Sequence, residues 1–158
     1  MGFLAWLESL QISVWVGQSP SVWAQPTILT LHTTGMAVLV GASWLLDLRL
    51  LGIGRQIPLS AFRWVFRAAA VGLLLNLPTG LLLFAYRATS WGTAIPFLVK
   101  MGLVVGGAAT LIPLRSLVLG SDAEQRAASG NPRLLAVASI VLWAAAVTAG
   151  RLLAYLVP

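Results

Sequence analysis

The sequence predicts an all-α integral membrane protein: an antiparallel bundle of four spanning helices preceded by an amphipathic helix lying on the membrane surface. Three observations predict it. Of 158 residues, 59% are hydrophobic and only 9% are charged, so the chain carries more apolar surface than one soluble core could hide. The apolar residues gather into four stretches, each close to the roughly 20 residues that cross a hydrocarbon core of about 30 Å. Ten Lys and Arg stand against four Asp and Glu, a formal charge of +6, and most of the basic residues flank those stretches. In a soluble chain that excess would raise nucleic acid as a partner. Placed beside spans it reads as topology signal and lipid-phosphate contact, and nucleic acid is set aside. With no cysteine there is no disulfide, thiolate metal site or cysteine-ligated cluster.

Residues 3–16 read as the interfacial helix. Phe3, Leu7, Leu10 and Val14 share one side, Glu8 and Gln11 another, and Trp6 and Trp15 supply amphipathic rings. No Lys or Arg precedes the apolar residues, so this is expected to be a retained segment rather than a cleaved signal. Gly17 to Pro20 end it, and Pro26 suits the first turn of the next helix. The spans are expected at 27–46, 68–86, 95–114 and 134–155, all within one membrane domain covering 1–158. In the second, Asn76 and Pro78 predict a kink. Gly102 with Gly106, Ala37 with Gly41, and the run Ala144 to Ala146 predict close helix packing, within the chain or against a neighbour.

Counting basic residues by side orients the bundle. Arg49, Arg55, Arg63, Arg67, Arg115, Arg126 and Arg133 fall on one side, and Arg87, Lys100 and Arg151 on the other. The positive-inside rule then predicts that both termini and the surface helix face the periplasm of a bacterial inner membrane.

The charged groups inside the spans concentrate the functional interest, because a bilayer does not admit them cheaply. His32 is roughly 9 Å along the helix from Pro26, and Lys100 roughly 7 Å from Ile95. Arg151 lies at a similar depth in the fourth span, Arg87 ends the second span on that side, and Glu8 is the carboxylate nearest to them in this arrangement. One reading has these cations snorkelling to lipid phosphates. Another has them converging on an anion pocket for a propionate, a quinone oxygen or a carboxylate. His32 likewise divides between a neutral imidazole bonded to a neighbouring helix and an axial ligand of haem b. Gly35, one turn deeper on the same face, would then let a flat macrocycle approach. A single histidine leaves five-coordination, Met101, or a histidine of another subunit to complete such a site. At the opposite edge, Asp47 is expected to pair with Arg63, Arg67 or Arg115 rather than with Arg49, two residues away.

The runs His32-Thr-Thr-Gly35 and Leu46-Asp-Leu-Arg-Leu-Leu-Gly52, with Trp6-Leu-Glu8 upstream, Lys100 in the third span and Gly150-Arg-Leu-Leu-Ala-Tyr155 near the end, resemble an uncharacterised family of small four-span bacterial membrane proteins. The resemblance implies a four-helix inner-membrane protein and no particular activity. A fainter likeness to copper-resistance D-type and b-type haem four-helix membrane proteins rests on the histidine and the terminal arginine. No HExxH, GxSxG or P-loop occurs. The expectation is therefore a non-catalytic accessory or assembly subunit that meets the lipid bilayer and other membrane subunits or further copies of itself. The alternatives are a haem- or quinone-binding electron-transfer module at His32, Lys100 and Arg151, and a small anion or proton transporter subunit.

Overall fold

The computed structural model describes residues 2–21, 23–128 and 130–157, with only the backbone described at Gly130. Met1, Val22, Ser129 and Pro158, which the expected single domain includes, lie outside that description. Every regular element among the described residues is helical: α1 (Phe3–Ser9), α2 (Gln11–Gln18), α3 (Ala24–Leu51), α4 (Arg63–Ala85), α5 (Ala88–Gly92), α6 (Ile95–Leu119), α7 (Ala123–Ala127) and α8 (Gly130–Leu156), with a short 3-10 turn at Leu59–Phe62 leading into α4. The four long helices α3, α4, α6 and α8 are long and apolar enough to cross a membrane. They outrun the spans expected from hydropathy. With 28 residues, α3 extends about 42 Å, because a backbone at the bilayer edge still gains by satisfying its hydrogen bonds internally.

Two hairpins make the bundle. One pairs α3 with α4, the other pairs α6 with α8, and they join mainly through α3 against α8. The contact between α4 and α6 is slight and includes the Phe84–Phe97 stack, with ring centroids 4.9 Å apart. The α3–α4 seam is a direct backbone crossing. A Cβ added to Gly35 would meet Asn76 N at 2.8 Å and Gly72 O at 2.9 Å, and one added to Gly72 would meet Leu39 N at 2.7 Å and Gly35 O at 2.8 Å. On the other hairpin, Gly107 receives the face of Trp143, whose ring carbons come within 2.8 Å of a Cβ placed there. The expected small-residue faces thus divide: Gly106 contacts Leu142 within the chain, while Gly41 and Gly102 face open space.

The interfacial segment is not one helix but two, corrected from the 3–16 reading. At Leu10 the backbone is extended, with φ −62° and ψ 138°, and Ser13 Oγ donates to Leu7 O at 2.7 Å across the elbow. The break lets each half find its own support. Gly92 of α5 lies against Leu4 of α1, and Gly17 of α2 lies against the Tyr86 ring at the end of α4. At the opposite end, α3 closes on Gly52 at φ 110°. Gly52 N–H donates to Arg49 O and Ile53 N–H to Leu48 O, the paired bonds of a Schellman cap that only glycine adopts without strain.

The apolar interior falls into two clusters. The larger, around Leu39, Leu46, Leu59, Leu114 and Trp143, fills the half toward the arginine-rich loops. The smaller joins Val16, Ile28 and Leu83 beneath α2. Between them on α3 are His32 and Gly35.

Because the Gly35–Gly72 crossing has no room for a methyl group, Gly72→Ala is expected to destabilise the protein by about 1–3 kcal/mol through overpacking. Thermal melts in detergent should show the loss for Gly72→Ala and none for Gly102→Ala.

Candidate functional site

The crossing at Gly35 and Gly72 brings the backbones close enough for side chains of α4 to grip α3. His32 Nδ1 is 3.1 Å from Asn76 O and 3.2 Å from Thr79 Oγ1. A carbonyl oxygen only accepts, so in the first contact the imidazole N–H is the donor. Asn76 Nδ2 donates in return to His32 O at 2.9 Å, and Thr79 Oγ1 donates within its own helix, with Leu75 O at 2.7 Å and Asn76 O at 3.1 Å. The ring lies against Gly80, where a Cβ would be 2.9 Å from its Cε1. His32 is therefore fixed in the tautomer that carries its proton on Nδ1, and the Nε2 lone pair has no hydrogen-bond partner among the described residues. Asn76, expected as part of a kink with Pro78, also braces the two helices through its side chain, and α4 continues as helix through Pro78.

Lys100 reaches the same level from α6. Its side chain lies across Gly150 of α8, with Cε 3.3 Å and Nζ 3.5 Å from the position a Cβ would take there. The ammonium is within electrostatic reach of His32, and among the described residues it forms neither an ion pair nor a hydrogen bond. The small residue at 150 is what admits the lysine between α6 and α8. A nitrogen lone pair and an ammonium from different hairpins thus share one polar level between the two apolar clusters. One accepts and the other donates, which suits a ligand with an oxygen to present to the lysine and a hydroxyl or bound water to present to the imidazole.

The other expected members are placed differently. Arg151 is exposed, with its guanidinium carbon 5.6 Å from the centre of the Tyr155 ring one turn away. Arg87 donates to Val157 O at 3.3 Å and lies 5.8 Å over Tyr86, so it ties the end of α4 to the end of α8. Glu8 pairs with none of these cations. Its Oε1 accepts from Thr89 Oγ1 at 2.6 Å and from Thr89 N–H at 2.8 Å, fastening α1 to the first turn of α5. Gly35 offers no landing for a macrocycle, because α4 backbone fills the space a side chain would occupy. Met101, next to Lys100, is exposed on α6.

At the opposite end the structure shows two residues whose importance the sequence hid. Arg49 is buried, 7% exposed, and donates through Nε to Ile57 O at 2.6 Å and through Nη2 to Arg55 O and Glu124 Oε2, both at 3.1 Å. Glu124 Oε1 accepts from Leu59 N–H at 2.6 Å. This pair gathers both loops of that end. Asp47, fully buried, does not meet Arg63, Arg67 or Arg115 as expected. It turns toward Ser139 of α8 instead, yet neither carboxylate oxygen nor the Ser139 hydroxyl reaches hydrogen-bond geometry. Helical phase explains the difference, since two residues along a helix separate Asp47 and Arg49 by about 200°.

Among the described residues no group of three or more His, Asp or Glu is placed to hold a metal ion. Comparison with protein families, with curated proteins and with solved structures finds no match.

Two outcomes follow from this geometry. An unpartnered buried acceptor costs about 1–3 kcal/mol, so Asp47→Asn, which keeps the shape and discards the charge, should hold or raise the melting temperature in detergent. A marked fall would show the carboxylate to be stabilising. The Thr89 hydroxyl and then its backbone N–H hold the Glu8 carboxyl below its ordinary value. A carboxyl depressed in this way adds stability above its unfolded value and loses it as the pH falls through the folded one. The grip of α1 on α5 should be full at neutral pH and released below the ordinary glutamate value of about 4.3. Tryptophan fluorescence should report this acid step, and it should be missing in Glu8→Gln.

Proposed function

We propose that the chain is a non-catalytic, multi-pass protein of the bacterial inner membrane, an accessory subunit that holds an oxygen-bearing ligand at His32 and Lys100. A quinone or a small carboxylate has that chemistry. One observation carries this reading: an ammonium led into the bundle over Gly150, with no anion among the described residues to meet it, within electrostatic reach of an imidazole whose free nitrogen is selected by the bonds on the other. Burying a cation without a partner is costly, and a ligand oxygen would offset that cost. Haem fits the residues poorly, because its expected seat at Gly35 is closed by α4 and the chain has one histidine.

The subunit part of the reading is supported by Gly41 and Gly102, which nothing among the described residues covers and which would let another helix approach closely. We also place both termini, α1 and α2 on the periplasmic side, from the excess of arginine at the opposite end. The ligand site would then lie in the outer leaflet beneath a helical cover.

The test is a titration of the purified protein in nanodiscs with a short-chain quinone and, separately, with benzoate, followed by tryptophan quenching. Saturable binding of one of them is expected. Losing a charge-assisted hydrogen bond costs about 1.5–3 kcal/mol, so Lys100→Met should weaken it by roughly tenfold or more. His32→Phe should also weaken it, while Arg151→Gln should leave it unchanged. Binding that Lys100→Met does not alter would overturn the site, and a Soret band in the purified protein would replace the ligand with haem.

A further inference from the structure

We propose a second binding site, at the arginine-rich end of the bundle, for a phosphate group. It is independent of the His32 site and shares no residue with it. A cavity of about 220 Å³ opens there, and its lining includes Arg49, Arg55, Glu124 and Arg133. These come from four separate places in the chain: the end of α3, the loop after it, α7, and the start of α8. The fold gathers three guanidinium groups around one hollow with a single carboxylate among them.

The charges do not cancel. Glu124 is already engaged, with one oxygen on Arg49 and the other on the Leu59 N–H. Arg49 is equally committed, to Glu124 and to the carbonyls of Arg55 and Ile57. Arg55 and Arg133 donate no hydrogen bond from their guanidinium groups and pair with no carboxylate among the described residues. Their two positive charges are left facing the cavity.

The site is also built rather than incidental. Gly52, held at φ 110° by the helix cap, has no side chain, and the Arg55 guanidinium occupies the vacated space: a Cβ there would lie 2.8 Å from Nε and 2.9 Å from Nη2. The backbone of the same loop is pinned by Arg49, so Arg55 projects from a rigid turn. Planar, permanently charged forks set on fixed backbone match the oxygens of a phosphate better than flexible lysines would, and the spanning helices lack lysine at this end. Basic pockets between spanning helices at the membrane surface are a recurrent way to hold anionic headgroups. The phosphate can come from such a headgroup or from solution, and the two sources are separable.

The full-length protein in phosphatidylcholine nanodiscs, with and without phosphatidylglycerol, should be compared by thermal melting, and the same sample without phosphatidylglycerol should be titrated with inorganic phosphate at constant ionic strength. Stabilisation is expected from phosphatidylglycerol, from inorganic phosphate, or from both. The first alone identifies a lipid headgroup, and a response to inorganic phosphate identifies a soluble source. Arg55→Gln and Arg133→Gln should each raise the half-saturating concentration by roughly tenfold, the effect of one lost charge-assisted bond. Arg67→Gln, with the same change in net charge outside the cavity, should not. If all three variants lose the response equally, or if neither phosphate source stabilises the wild type, the proposal is overturned. Circular dichroism and the unchanged melting temperature of the variants in neutral lipid separate loss of the site from loss of the fold.

Discussion

The backbone crossing of α3 and α4 at Gly35 and Gly72 is the contact from which the rest of the bundle's polar chemistry follows. Each glycine leaves a gap that the other helix's backbone fills, with carbonyl and amide atoms less than 3 Å from where a Cβ would be. In lipid, where apolar side chains gain little from leaving the solvent, such close contact is what drives helices together. Bringing the axes this near lets short side chains reach across. Asn76 meets the His32 carbonyl, and the His32 ring meets the Asn76 carbonyl. The reciprocal pair fixes both the separation of the helices and the orientation of the imidazole.

A polar level results, enclosed on both sides. Toward the arginine-rich end lies the main apolar cluster with Trp143 and Leu46, and toward the other lies the small cluster under α2. Gly150 admits Lys100 to this level from the second hairpin, as Gly80 makes room for His32 in the first. Four glycines thus shape one site. Three of them face a side chain or backbone atom that could not be there if they were alanine, with contacts at 2.9 Å or less, and the fourth, Gly150, faces lysine methylene at 3.3 Å.

The two ends of the bundle are secured by different means. At one, α1 and α2 fold over the helix termini through Glu8 on Thr89, Leu4 on Gly92 and Tyr86 on Gly17. At the other, the buried Arg49 and its partner Glu124, 75 residues apart in sequence, hold two loops together. Only the guanidinium is buried and the carboxylate is largely exposed, so solvent screens the pair and it contributes more to specifying the arrangement than to net stability. Its effect is to fix the register of α7 against the turn at Gly52, and hence the positions of Arg55 and Arg133.

The number and approximate position of the spans were legible from hydropathy, because a bilayer selects for length and apolarity before any contact is made. The depth of His32 and Lys100 followed from the same counting. Arg151 shares that depth and Arg87 and Glu8 lie on the same side, however, and which of these residues meet is decided by helix rotation and pairing. Rotation depends on where backbones approach, and that was settled by Gly35, Gly72 and Gly150, residues whose contribution is the absence of a side chain. The same holds for Asp47 and Arg49. Two residues apart in the sequence, they looked alike as edge residues, yet helical phase sends one into α8 and the other into the loops. The sequence by itself determined that the chain crosses a membrane four times and which polar groups it carries inside. Only the tertiary structure decided which of them face one another, because partners are chosen by surface shape across helices and not by distance along the chain.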